Sequence, residues 1–214
     1  MLAQETMNLL DIFEDHKGLV INKFPHHLEI YDRLFRSLQN KTGLTLLEIG
    51  LGSGGSLQLW REYFGPQATI IGVDVQDLTR LEVEAKVLVG DQGSVEFWGA
   101  VKPQLGAPDI IIDDGSHRCA DQILTFRQLF PVLADGGVYI VEDIHTSYRE
   151  AYGGGLGNPG SFVEFIKMAI DGIHSPEHGG PGESHLFSVQ VYPNLAVIEK
   201  RSPSTWGGST MRPA

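Results

Sequence analysis

Glu48-Ile49-Gly50-Leu51-Gly52-Ser53-Gly54-Gly55-Ser56 is the stretch on which the fold of this chain turns. It continues an apolar run, TLLEIG (45–50), and opens a helical stretch at Ser56–Phe64. A strand that ends in glycines and passes into a helix makes a ligand-binding turn. Gly50 and Gly52 let the backbone bend sharply and approach a ligand with no Cβ in the way. By itself the loop is ambiguous, because Gly50, Gly52 and Gly55 also satisfy the G-x-G-x-x-G pattern of dinucleotide sites. A glycine turn with no ligand would read the same way.

The flanking sequence sets the architecture. TIIGVDV (69–75), KVLVGD (86–91), PDIIIDD (108–114) and GVYIVED (137–143) are further short apolar runs, and helical stretches at 94–101 and 121–133 separate them. Near-continuous apolar strands alternating with helices predict a parallel sheet covered on both faces. Right-handed crossovers then make it doubly wound. Upstream, residues 2–16 predict a short amphipathic helix with Leu2, Leu9, Leu10 and Phe13 inward, and residues 27–40 predict a second. Downstream come a Gly-rich loop (153–160), a helix at 162–173 and a Gly/Pro-rich loop (175–184). HLFSVQVY and LAVIEK then flank Pro193-Asn194, a two-residue turn that predicts an antiparallel hairpin. The expected fold class is α/β: a Rossmann-like, doubly wound, seven-stranded, mostly parallel sheet with a C-terminal antiparallel hairpin. The expected organisation is one domain over 1–214, with a helical segment at 1–40, the sheet at 41–200 and a loose Ser/Pro/Gly-rich tail at 201–214.

Composition narrows the class of partner. The chain has 214 residues and a formal net charge of −11, with Lys and Arg scattered rather than clustered. Such a surface repels phosphate backbones, so no nucleic-acid partner is expected, and a small neutral or cationic acceptor suits the charge. No apolar run reaches the ~20 residues of a membrane span. The acidic start MLAQETMNLLDIFEDH does not read as a signal peptide. Cys119 is the single cysteine, expected at a helix start rather than as a functional thiol. With no internal disulfide possible, a reducing, cytoplasmic location is the simple expectation.

The strand tips carry the chemistry. Glu48 sits beside the space a charged amino-acid group would fill, Asp74 ends the second strand where ribose hydroxyls would lie, and Asp91 and Gln92 end the third, where an adenine amino group would be read. With Gly50, Gly52 and Ser56 of the loop, and Asp113 on the fourth tip, they make a candidate set for S-adenosylmethionine. Helix capping is the competing role for Asp74 and Asp91. Asp114 on the fourth tip and Glu142-Asp143 on the fifth open on one carboxyl edge. Strands lie ~4.8 Å apart, so these acids converge and call for a hard divalent cation, Mg²⁺ first; capping of helices competes here too. His117, three residues beyond Asp114, is the candidate general base, with His145 as the second choice.

EIGLGSGGSLQLW, IIDDGSH and VEDIHTSY resemble the metal-dependent O-methyltransferases that modify sugars on macrolide and tetracenomycin-type antibiotics, and the related cephalosporin-pathway methyltransferase-like proteins. The resemblance runs from about residue 16 to 200. It implies a class I S-adenosylmethionine-dependent enzyme acting on a small-molecule hydroxyl acceptor. Asp114, Glu142 and Asp143 would hold Mg²⁺, His117 would be the base, and Glu48, Asp74 and the segment around Asp91 would bind the cofactor. HKGLVINKFPHHLEIY (16–31) resembles a family stretch near the active site in which an aromatic follows the paired histidines; here Leu28 follows His26-His27. A homo-oligomer is left open. The competing functions are methylation of a catechol-like phenol, an NAD-dependent dehydrogenase, and a cofactor-binding partner subunit without turnover.

Overall fold

The computed structural model describes residues 7–174 and 185–202. Residues 2–6 of the expected first helix, the loop 175–184 and the tail from 203 onward lie outside the described residues. Seven strands form one sheet: β1 (Thr45–Ile49), β2 (Thr69–Asp74), β3 (Lys86–Val89), β4 (Ile110–Asp113), β5 (Val138–Glu142), β6 (Leu186–Tyr192) and β7 (Leu195–Lys200). Their order is β3-β2-β1-β4-β5-β7-β6. The first five are parallel, and β7 pairs antiparallel with both β5 and β6. Pro193-Asn194 is the turn between β6 and β7, with Asn194 in the left-handed region. The chain lays β2 and β3 on one side of β1 and then returns to lay β4 and β5 on the other. The reversal between β1 and β4 opens a crevice at their carboxyl ends.

The helices are α1 (Leu9–Asp15), α2 (Pro25–Phe35), α3 (Gly55–Phe64), α4 (Val95–Val101), α5 (Cys119–Leu129) and α6 (Phe162–His174). Three differ from their expected limits for local reasons. α1 starts at Leu9 rather than within 2–8, because the Asn8 side chain accepts from Leu10 N–H and caps it there. α2 starts at Pro25, whose fixed φ suits a first turn. It gives way to a 3-10 turn at Arg36–Leu38, short of the expected end at Asn40. α5 starts at the buried Cys119 and ends in a 3-10 turn at Phe130–Val132, where Pro131 cannot continue the helix. No helix among the described residues is long and apolar enough to cross a membrane.

Side chains alternate across each strand, so each sheet face has its own core. Leu47, Ile49, Ile71, Val73, Ile111, Tyr139 and Val141 pack on the side of α4, α5 and α6. Leu46, Ile70, Ile110, Ile112 and Ile140 pack on the side of α1, α2 and α3. The same parity assigns the acids. Glu48 and Glu142 share the α1–α3 face with Leu46 and Ile140, whereas Asp113 falls on the opposite face with Ile111.

An aromatic group anchors the α5 side. Phe126 stacks on Phe130 at 4.7 Å between centroids and meets Tyr139 edge-on at 5.1 Å and Phe165 at 5.3 Å. Phe126→Ala is expected to cost about 3–5 kcal/mol and to lower Tm by roughly 6–20 °C, read by calorimetry. A loss under about 1 kcal/mol would contradict this packing.

Candidate functional site: a pocket at the strand tips

The glycine loop leaves β1 with Gly50 at φ 82° and Gly52 at φ 51°. A Cβ on Gly50 would collide with the Asp114 backbone, so this glycine lets β1 and β4 close at their tips. Gly52 has open space where a Cβ would point. In front lies a cavity of about 920 Å³ walled by Gly50, Gly52, Ser56, Asp74, Asp91 and Gln92, with Asp114, His117, Glu142 and Asp143 also on its lining. That volume is ample for a nucleoside-sized ligand with an acceptor beside it.

Residues 16–24 form a strap whose second half, Val20 to Phe24, lines this cavity. Leu19 N–H donates to Gln58 Oε1 (2.8 Å), and the Leu19 carbonyl meets His16 Nε2 at 2.9 Å. A Cβ on Gly55 would strike the carbonyl oxygens of Leu19 and Val20. The third glycine of the dinucleotide-like pattern therefore makes room for the strap. Those carbonyls face the start of α3, where a pyrophosphate would need N–H donors, so the loop does not present the dinucleotide arrangement.

The strap ends in a side chain that sequence reasoning assigned no role. Lys23 Nζ, almost fully buried, lies 2.9 Å from Glu48, 2.7 Å from Asp114 and 2.5 Å from Glu142. Glu142 also accepts from Tyr31 Oη (2.7 Å) and pairs with His27 Nδ1 (3.0 Å). Burial works to raise the Glu142 pKa, but Lys23 and His27 outweigh it and hold it down at about 2. Burial pushes the Asp114 carboxyl up despite Lys23, with the charges on Glu142 and Glu48 adding to the shift. Burial would lower the Lys23 pKa, yet the three carboxylates keep it well above its usual value. One ammonium among three acids leaves an excess of buried negative charge.

Asp114, His117 and Asp143 present ligand atoms within 4.8 Å of one another. His117 Nε2 is 3.7 Å from Asp143 Oδ2, and His145 Nδ1 is 3.6 Å from Asp143 Oδ1. His117 Nδ1 and Asp143 Oδ1 are buried with no hydrogen-bond partner among the described residues. His117 and Asp143 both adopt left-handed backbones, at φ 57° and 53°. At Asp143 this conformation interrupts the strand alternation, which would otherwise set it on the face opposite Glu142. Thr146 Oγ1 donates to the His117 carbonyl (2.9 Å) and ties the two loops together. Burial lowers the His117 pKa against the opposing pull of Asp143 and Glu142, so the imidazole is neutral near pH 7. Orphaned nitrogen and oxygen atoms beside excess negative charge suit a hard divalent cation.

The remaining candidates divide between the cavity wall and the layer behind it. Asp74 Oδ2 accepts from Leu51 N–H (2.8 Å) and Oδ1 from Gln76 N–H (2.8 Å), so it braces the glycine loop while facing the cavity. Ser94, not Asp91, caps α4. None of the metal-set acids caps a helix with its side chain: α5 follows Arg118, and Asp143 makes no such bond to the 3-10 turn Ile144–Tyr148. Glu48 lies behind the wall, fully buried between Trp60 Nε1 (3.0 Å) and Lys23. Asp113 is likewise fully buried and accepts from Gln92 Nε2 (3.0 Å). Gln92 Oε1 in turn accepts from Ser116 N–H (2.5 Å). These contacts make Glu48 and Asp113 supports for residues at the wall.

A glycine loop after β1, an acid at the tip of β2 and a final antiparallel hairpin define the class I S-adenosylmethionine-dependent methyltransferase fold. The chain is homologous to sugar O-methyltransferases of tetracenomycin and macrolide pathways. It is 35% identical over 194 residues to the 8-demethyl-8-alpha-L-rhamnosyl tetracenomycin-C 2'-O-methyltransferase of Streptomyces olivaceus, covering 83% of this chain and 51% of that protein. It is 35% identical to the mycinamicin VI 2''-O-methyltransferase of Micromonospora griseorubida, covering 79% and 47%. The solved structure of the MycE methyltransferase from the mycinamycin pathway, in complex with Mg, SAH and mycinamycin VI, superposes with a TM-score of 0.76 at 33% identity, over 86% of this chain and 52% of that one. The chain thus spans about half the length of the relatives it matches. No family model matches the sequence.

The buried Asp113 carboxyl provides a test of this architecture. Burial raises its pKa to about 7, against hydrogen bonds from Gln92, Gly115 and Tyr139. A carboxyl whose pKa is raised on folding favours the folded state while protonated, so its contribution is lost as pH rises from about 4 to about 7. Asp113→Asn removes that titration. The variant's stability relative to wild type should therefore increase between pH 5 and pH 8, by at most about 3 kcal/mol, in urea unfolding. An equal difference at both pH values would contradict the burial assigned to Asp113.

Proposed function

We propose that the chain is an S-adenosylmethionine-dependent O-methyltransferase acting on a sugar hydroxyl of a glycosylated small molecule. In this reading Asp114, Glu142 and Asp143 hold Mg²⁺ and His117 is the base. The observation that carries it is the convergence of Asp114, His117 and Asp143 on the mouth of a cavity whose other wall is the glycine loop and Asp74. Glu142 is not one of these three; what supports its place in the set is that a single cation, the Lys23 ammonium, already touches both it and Asp114. The named substrates of the relatives support the choice of a sugar hydroxyl.

When bound, a divalent ion supplies Lewis-acid polarisation of the acceptor hydroxyl. The chain's own residues do the rest. Asp74 and the glycine loop hold the donor, and the tip carboxylates orient the acceptor oxygen. His117, neutral because it is buried, accepts the hydroxyl proton. Fixing donor and acceptor in one pocket supplies much of the rate.

Chelator should abolish methyl transfer to a rhamnosylated polyketide acceptor, and Mg²⁺ should restore it. His117→Ala should slow turnover by about 10²–10⁴-fold with cofactor affinity unchanged in calorimetry, and His145→Ala should be milder. Full activity in excess chelator would remove the metal from the mechanism. Wild-type turnover in the His117 variant would move the base elsewhere.

A further inference from the structure

Lys23 lies where a metal-binding methyltransferase has most use for a cation of another kind. Its ammonium touches Asp114 and Glu142, two of the three acids proposed to hold the divalent ion, and also Glu48. Glu142 has no free side: Lys23, Tyr31 and His27 use both of its oxygens. A divalent ion that takes Asp114 and Glu142 as ligands must share or replace the contacts Lys23 makes with them. The oxygens of two carboxylates cannot close around two neighbouring cations without bringing those cations into mutual repulsion.

We infer that Lys23 is a resident counter-ion that competes with the divalent metal for Asp114 and Glu142, so that metal entry releases Lys23 and loosens the strap over the pocket. Lys23 is thus a positioning residue: it holds the acids in place until metal arrives and keeps the strap shut over an unloaded site. The strap is also held by the Gln58 contact to Leu19, by Ile21 packed on the α1–α3 core and by Phe24 against the His26 and His27 rings. The buried ion pairs of Lys23 are what tie it to the tips of β1, β4 and β5. Coupling between two cations for one set of ligands is reciprocal: whatever metal does to the seating of Lys23, the seating of Lys23 does to metal affinity.

The inference rests on the metal site proposed above, and the sign of one measurement separates the two. Mn²⁺ and Mg²⁺ affinities are measured by calorimetry on the 214-residue chain and on Lys23→Met and Lys23→Gln. Both variants remove the ammonium and keep most of its stem. Competition predicts tighter metal binding in both, by roughly 5–150-fold. A purely structural lysine predicts weaker binding, because the acids lose their alignment. Wild-type binding with equal or weaker binding in the variants overturns the competition and leaves the metal site standing. No metal binding by the wild type overturns both. If neither variant folds, proteolysis of the wild type decides. Tryptic cleavage after Lys17 and Lys23 should accelerate when Mn²⁺ saturates the site, and unchanged or slower cleavage overturns the inference.

Discussion

Burying several carboxylates at one point is the constraint on which this structure depends. Parallel strands deliver their carboxyl ends to one edge, and side-chain alternation puts Glu48 and Glu142 on the same face. β4 lies between their strands, yet both touch the same ammonium, so their oxygens are at most about 5 Å apart and repel by roughly 3 kcal/mol at an effective dielectric of 20. Removing one partner from a buried charge cluster costs more than a surface pair ever returns. A cation is therefore obligatory here, and the chain supplies one from its own N-terminal side. That choice accounts for the strap's path, for the glycine at position 55 beneath it, and for the docking of α2, whose His27 and Tyr31 complete the shell around Glu142.

The second constraint is backbone strain. His117 and Asp143 are non-glycine residues in left-handed conformations, each an unfavourable state that only surrounding structure sustains. The Thr146 bond to the His117 carbonyl and the buried Ile144, Thr146 and Ser147 beyond Asp143 sustain it. With the strain in place, a histidine from the loop after β4 and an aspartate from the loop after β5 face each other. With extended backbones they would diverge. Strain coincides here with two residues of the proposed site.

Most of the fold was legible because its signals are periodic. Apolar runs such as PDIIIDD and GVYIVED bear on strands directly, and the Pro193-Asn194 turn bears on the hairpin. Helix limits were less legible because local chemistry moves them: Pro25 starts a helix two residues early and Pro131 stops another. In the site, strand order, which alternating apolar runs do imply, brings the tips of β4 and β5 together, but the left-handed turns that bring His117 and Asp143 face to face carry no sequence signal. What did not follow was which acids face the cavity. Alternation already sets Asp113 and Asp114 on opposite faces, and applying it would have moved Asp113 into the supporting layer. Lys23 was hidden for a different reason. It is a lone charge in the apolar stretch LVINKF, and its partners lie 25, 91 and 119 positions away along the chain, so only the tertiary fold reveals them.

Those separations bear on how the molecule assembles. The contact between Lys23 and Glu142 closes a loop of 119 residues, and by then β1, β4 and β5 must already lie side by side. Long-range closures of this kind come at the slow end of folding, since chain entropy is lost before the contact forms. A strap anchored this way is expected to settle only after the three strand tips have come together, so the pocket gains its last wall when the sheet beneath it is already in place.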